Sequence, residues 1–168
     1  MKFKIKMNNI VDVILPNFNK EKFLDETIKS VINQSLEKWR LIIIDNCSTD
    51  NSKNIINKYS SQKKFSTIFL KKNMGVSFSR NLGIRLSQSK YISFIDSDDL
   101  WDKNKLRDQI NFMEKNSFDF TYTDYTPFFD KQNERYYKKK IIVPEIFNYN
   151  DFIFDSSICT SSMILSRK

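Results

Sequence analysis

The 168-residue sequence contains no histidine and only two glycines, and both shortages remove whole classes of chemistry. Without imidazole, neither a histidine-based zinc site nor a Ser-His-Asp triad nor a Cys-His dyad can form within the chain. Acid-base work falls to carboxylates, lysine or tyrosine. Gly75 and Gly83 are too few for a GxGxxG dinucleotide fingerprint or a GxxxxGK[ST] phosphate loop. The two cysteines, Cys47 and Cys159, stand far apart with no CxxC spacing, which suits a reducing compartment and supplies neither a disulfide framework nor a zinc site. No apolar run approaches the ~18 to 20 residues of a membrane span, and the opening MKFKIKMNN is basic but lacks the apolar segment of a secretory signal. A soluble intracellular protein is the expectation. By the usual ~100 to 200 residues per domain, it forms one domain or part of a larger one.

The formal charge is +8, carried mostly by scattered lysines, with one dense cluster at Lys138 to Lys140 after a tyrosine pair. No nucleic-acid motif accompanies it, so a solvated or membrane-facing surface is expected rather than a nucleic-acid site.

Hydrophobic periodicity then organises the chain. Ile10 to Leu15 (IVDVIL) reads as a buried strand ended by Pro16. From Lys20 to Gln34, Phe23, Leu24, Ile28, Val31 and Ile32 share a helical face, with Asn19 placed to cap it. Leu41 to Ile44 is a second strand, and Ile55, Ile56 and Tyr59 suggest a second helix. Thr67 to Leu70 is a third strand; Phe78, Leu82 and Leu86 recur at the spacing of a third helix that leads to a strand over Tyr91 to Ile95. Gly75 allows a tight turn into that helix and Gly83 its close packing on the sheet. This alternation predicts a parallel α/β sheet covered by helices on both faces. Leu106, Ile110 and Met113 mark a fourth helix, Phe118 to Tyr125 a half-exposed strand, and Thr160 to Ser166 a last strand, while 126–154 has no firm period.

In an open parallel sheet, ligands bind beyond the carboxyl ends of the strands. Those ends here read PNFN, DNCSTD and DSDD. Asp96 and Asp98 would project to one side of a strand continued past Ile95, giving the one or two carboxylates by which Mg²⁺ or Mn²⁺ is held together with phosphate oxygens. Asp99 or Asp102 is left to cap a helix starting near Lys103. Arg80 either bridges to the acidic strand ends, contacts an anionic ligand, or lies along the helix surface.

Taken in order, ILPNFNKEKFLDETIKSVINQS, IIIDNCSTDNS, NMGVSFSRNLGI and YISFIDSDDLW resemble the successive motifs of glycosyltransferase family 2, enzymes of the GT-A fold. The match covers roughly Ile10 to Trp101, with a fainter echo in FTYTDY and TSSMILSRK. It implies a Rossmann-like, mostly parallel sheet in a single domain. About 10–125 would form the donor-binding part, followed by the start of an acceptor-side part whose remainder is missing. It also implies an inverting, Mn²⁺- or Mg²⁺-dependent transfer of sugar from a nucleotide sugar, commonly a UDP-sugar, to a glycan or glycolipid acceptor. Such an enzyme would work in cell-surface polysaccharide or glycolipid synthesis, in the cytoplasm or at the inner face of the membrane.

Carried over residue by residue, the resemblance puts Pro16 and Phe18 at the uracil pocket, Phe18 standing where tyrosine is usual. Glu21 falls near the diphosphate, Asp45 and Asn46 at an acidic pair whose second member reads the base edge, and Arg80 close to the nucleotide. Asp96 and Ser97 fall beside the ribose and Asp98 on the metal. No residue matches the family's catalytic base, although Asp124 and Asp155 are nearby carboxylates. A sugar-phosphate nucleotidyltransferase is disfavoured, because PNFN replaces the glycine- and arginine-rich loop such enzymes carry after strand one. A fragment that binds nucleotide without turnover is the alternative.

Overall fold

The computed structural model describes residues 9–132, 134–146 and 158–167. The chain opens with β1 (Val11–Asn17), α1 (Glu21–Ile32), β2 (Trp39–Asp45), α2 (Ser52–Asn57), β3 (Phe65–Phe69), α3 (Val76–Leu86), β4 (Tyr91–Phe94) and α4 (Lys105–Asn116). Short strands follow at β5 (Phe120–Thr121), β6 (Phe128–Lys131), β7 (Glu134–Tyr137) and β8 (Ile164–Ser166), the last preceded by a 3-10 turn at Thr160–Ser162. One sheet runs β3-β2-β1-β4-β8-β5. Its first four strands are mutually parallel, and β8 lies antiparallel to both β4 and β5. Hairpin β6–β7 stands apart.

Alternation along the strands divides the core. Val11, Val13, Leu15, Leu41 and Ile43 face α1, α2 and α4, meeting Leu24, Ile28, Val31, Ile56, Leu106, Ile110 and Met113. Ile14, Ile42, Ile44, Ile92 and Phe94 face the other way, where Leu82 of α3 packs. Burial on both faces is why these strands read as near-continuous apolar runs.

Several local expectations change. Pro16 does not end β1: the strand pairs with β2 through Pro16↔Ile44 and Asn17↔Asp45. Backbone groups of even-numbered β1 residues point toward β4, as in Ile95 N–H to Ile14 O, and β4 stops at Phe94. The N–H that proline lacks therefore has no partner to lose. Asn19 does not cap α1; it adopts a positive φ of 52°, and its Oδ1 accepts the Thr49 N–H at 2.8 Å, tying the β1–α1 and β2–α2 loops together. Ser79 and Gly83 are the buried residues of α3, Gly83 packing closely on the sheet as expected; Phe78 and Leu82 are half-buried, Leu82 against the core, and Leu86 is exposed. A Cβ on Gly83 would lie 2.5 Å from Ile14 Cγ2, so the helix sits too close to the sheet for large side chains. Gly75, with φ of 85°, makes the turn into α3 as expected.

Helix α4 begins at Lys105 with no side-chain cap; Asp102 Oδ1 instead accepts the Asn104 N–H just ahead of it, and Asp99 turns inward. The expected strand at Phe118 to Tyr125 shrinks to β5, because β8 offers it only Ile164 and Leu165 as partners. The expected last strand is split: Ser162 Oγ and N–H both donate to Cys159 O, winding its first residues into a turn. Cys47 and Cys159 are free thiols. Among the described residues no helix is long and apolar enough to cross a membrane.

Candidate functional site

The chain leaves β1 for β2 on one side and returns to β4 on the other, so a crevice opens where β1 and β4 end together. A cavity of about 430 Å³ occupies it. Pro16, Asn17, Phe18 and Lys20 line it from the end of β1, Asn46 from the end of β2, Asn73, Gly75, Val76, Ser79 and Arg80 from the turn into α3 and its first turns, and Asp96 to Asp98 from the end of β4. Phe18 presents its ring at 42% exposure, enough to stack on a base.

The acidic stretch is not a continued strand, as first expected, but a turn closed by Asp99 N–H to Asp96 O at 3.0 Å. Three like charges in four positions repel, and the turn is held by side chains from distant elements. Arg80 Nη2 reaches Asp96 Oδ1 at 2.6 Å, and Lys20 Nζ reaches Asp98 Oδ2 at 2.7 Å. Thr27 of α1 donates to Ser97 O at 3.1 Å. Ser161 Oγ accepts the Asp96 N–H at 3.0 Å and donates to Asp99 Oδ2. Burial, reinforced by Asp96 and Asp98, pushes the Asp99 carboxyl above its ordinary value against that hydrogen bond.

The cleft thus gathers Pro16, Phe18, Asn46, Arg80, Asp96, Ser97 and Asp98 from the expected set. Two expected residues stand elsewhere. Glu21 accepts the Asn51 N–H at 2.6 Å on the neighbouring loop. Asp45 is 3% exposed and takes bonds from Asn17 Nδ2, Ser48 Oγ and Ser48 N–H, which makes it the internal brace of the cleft floor. Asn46 Oδ1 accepts the Met74 N–H at 2.8 Å, leaving one lone pair for a ligand. Sequence reasoning missed Lys20, Asn17 and Ser161. Lys20 is one lysine among many, and Ser161 lies 65 residues from its partner Asp96 in a stretch that reads as strand.

Two polar atoms in the cleft are buried without partners: the donor Arg80 Nε and the acceptor Asn17 Oδ1. The first suits an anionic oxygen. No group of three or more carboxylate or thiol ligands able to cage a metal occurs among the described residues. Asp98, however, is 38% exposed, and a hard cation shared with a diphosphate needs only one or two protein carboxylates. Carboxylate oxygens of this kind suit a hard cation.

A second cavity, of about 1040 Å³, shares Asp96 and Asp98 with the first and extends along Trp101, Lys105 and Ser161 to the β6–β7 hairpin. Lys105 Nζ lies 4.2 Å over the Trp101 ring and donates to Gln109 Oε1 at 2.7 Å; burial pushes its pKa down to about 7. The hairpin is clamped to α1 by Arg135, which holds both Glu26 oxygens, at 2.7 and 2.8 Å. Asp124 lines this cavity too, paired with Lys140 at 2.8 Å; Asp155 is outside the described residues.

Comparison with known proteins gives a match to the family model for glycosyl transferase family 2 over residues 12–168. TuaG of Bacillus subtilis, named for teichuronic acid biosynthesis, is 32% identical over 95% of this chain and 63% of its own length. WfgD of Escherichia coli, a UDP-Glc:α-D-GlcNAc-diphosphoundecaprenol β-1,3-glucosyltransferase, is 30% identical over 94% of this chain and 60% of its own. Among solved structures, Staphylococcus aureus TarS 1-349 in complex with UDP-GlcNAc superposes with a TM-score of 0.62 at 28% identity, covering 66% of this chain and 32% of that one. The chain therefore spans less than two thirds of these relatives.

Proposed function

The chain belongs to glycosyltransferase family 2, with a mostly parallel, helix-flanked sheet of the GT-A kind, and from that premise we propose that it transfers a sugar from a UDP-sugar to a glycan or glycolipid hydroxyl, with inversion and with Mn²⁺ or Mg²⁺. The pathway would be cell-surface polysaccharide or glycolipid synthesis. The observation that carries the reading is the convergence of Phe18, Lys20, Arg80, Asp96 and Asp98 on one cleft at the switch point of the sheet. A ring, two cations and two carboxylates are what a base, a diphosphate and a bridging cation require.

Each residue has a share. Phe18 and Pro16 would stack on and wall the base, and Asn46 would read its edge with the remaining lone pair of Oδ1. Arg80, with Nε unused, and Lys20 would face the diphosphate, while Asp96 and Ser97 border the ribose side. Asp98 would hold the cation. Bound there, the cation would offset charge building on the departing diphosphate, as a Lewis acid. The larger cavity beyond Asp96 and Asp98 would seat the acceptor, its hydroxyl approaching from the side opposite the leaving group.

We also place the protein at the cytoplasmic face of an anionic membrane. Exposed Tyr136, Tyr137, Lys138 and Lys139 at the hairpin support this, since aromatics and lysines together suit a charged bilayer surface.

Thermal unfolding with uridine, guanosine and thymidine diphosphates, with and without Mn²⁺, tests the donor site. Formation of a glycosylated product from an added acceptor tests turnover, and separates an active transferase from a protein that only binds nucleotide.

A further inference from the structure

We propose that Ser161 is a positioning residue for the donor cleft: its hydroxyl, supplied from the antiparallel side of the sheet, fixes the turn that aims Asp96 and Asp98 at a cation-bound nucleoside diphosphate. The inference rests on the donor-site reading above and names a residue outside the cleft that serves it.

One residue makes three bonds along this segment. Ser161 Oγ accepts from Asp96 N–H at 3.0 Å, the same hydroxyl donates to Asp99 Oδ2, and Ser161 O accepts from Trp101 Nε1 at 2.8 Å. Both ends of the turn and Trp101, two residues beyond it, are therefore referenced to a single residue, which is 6% exposed. The neighbouring cations act differently. Arg80 and Lys20 hold Asp96 and Asp98 from the open side, where a cation and a diphosphate would compete for the same groups. Ligand binding would loosen those two pairs just when the carboxylates must be aimed most closely. Ser161 reaches the turn from the side of the larger cavity, outside the donor cleft, and its hydroxyl bonds are not ones for which a cation or a diphosphate would compete.

This also assigns Asp99. Two carboxylates suffice for a cation shared with a diphosphate. The third, turned away from the cleft and onto Ser161, is the handle by which the turn is held.

The test compares wild type, Ser161→Ala, Ser161→Thr and Asp99→Ala by calorimetric titration with UDP in the presence and absence of Mn²⁺, with thermal unfolding recorded for each. Partners that orient a metal ligand typically change metal affinity by 10-fold or more when removed, so Ser161→Ala should weaken Mn²⁺-dependent UDP binding about 10-fold. Metal-free UDP binding should stay within about 2-fold, and threonine, which keeps the hydroxyl, should restore affinity to within about 3-fold. Asp99→Ala, which removes one of the two hydroxyl bonds, should lose a part of that affinity, and the double variant should lose no more than Ser161→Ala alone, as expected of a shared interaction. Asp99→Ala alone and Ser161→Thr carry the readout if Ser161→Ala fails to fold. Lower stability with unchanged Mn²⁺-dependent affinity would make Ser161 a packing residue and overturn the proposal. Additive losses in the double variant would overturn it as well. Absence of Mn²⁺-dependent UDP binding in the wild type would instead overturn the donor reading, and this inference with it.

Discussion

The carboxylates of this chain divide into those engaged inside the protein and those left facing a ligand, and the two kinds look alike in the sequence. Asp12 is fully buried in β1, where Arg40 grips both oxygens at 2.9 and 2.8 Å and the Gln88 and Ser89 N–H groups donate to one of them. Burial pushes its carboxyl up, but those bonds together outweigh it and hold the pKa below 3.8. A lowered carboxylate pKa contributes stability that is present above the unfolded value and is lost as pH falls through the folded one. Asp12→Asn should therefore lower stability near neutral pH by about 3 kcal/mol, through an unpaired Arg40, and flatten the acid limb below about pH 4 in a urea-midpoint series. Nothing in IVDVIL announces this role, because an ion pair 28 residues apart across two strands leaves no local pattern. Arg80 was readable as a partner of the acidic strand ends, and it is one. Holding Asp96 and, in the proposed donor site, turning Nε to a ligand would both need a planar fork. Arg80→Lys should weaken UDP binding by about 10-fold while Tm changes little, as equilibrium titration and thermal unfolding would show.

At the scale of elements, α1, β2 and β4 were legible because each buries a simple repeat: a helical stripe in one case, an unbroken apolar run in the others. Helix α3 and the close packing of Gly83 were legible, but Ser79 as its other buried residue was not, since a hydrophobicity pattern does not register small polar residues. Gly83→Ala puts a methyl group against the fully buried Ile14 of a central strand. It should cost about 1 to 3 kcal/mol, visible as a lower urea midpoint, with nucleotide affinity per folded molecule nearly kept. The antiparallel edge was harder to read, because β5 and β8 are short and their pairing joins residues more than 40 apart. Arg135 joins the hairpin to α1. Arg135 also lies 4.4 Å from the Phe128 ring centre and pairs with Asp130 at 2.9 Å. Arg135→Ala should release β6–β7 from α1, so that limited proteolysis cuts within 128–137 while the main unfolding transition stays in place.

For the whole molecule, the +8 charge serves general solubility or, as proposed above for the hairpin lysines, attraction to an anionic surface. Lysines near an anionic bilayer contribute about 1 kcal/mol each, so the protein should sediment with vesicles containing phosphatidylglycerol, less so at high salt and not with neutral vesicles. Replacing Lys138 and Lys139 by glutamate should abolish sedimentation and leave nucleotide binding intact. The order of strands and helices and the place of the cleft followed from the sequence because a parallel α/β chain puts its loops at one edge. The separation of Asp96 and Asp98 from Asp99 was also expected, but Lys20 and Ser161 as partners of these aspartates were not, since they arrive from separate parts of the chain. Thermal unfolding with UDP, with and without Mn²⁺, in the wild type and in Asp98→Asn bears most directly on whether those aspartates form a donor clamp. UDP at about 100 times its dissociation constant should add about 2.7 kcal/mol and raise Tm by several degrees, more with Mn²⁺ than without, and Asp98→Asn should remove the Mn²⁺-dependent part. No shift with UDP or with any other nucleoside diphosphate, with or without Mn²⁺, would contradict it.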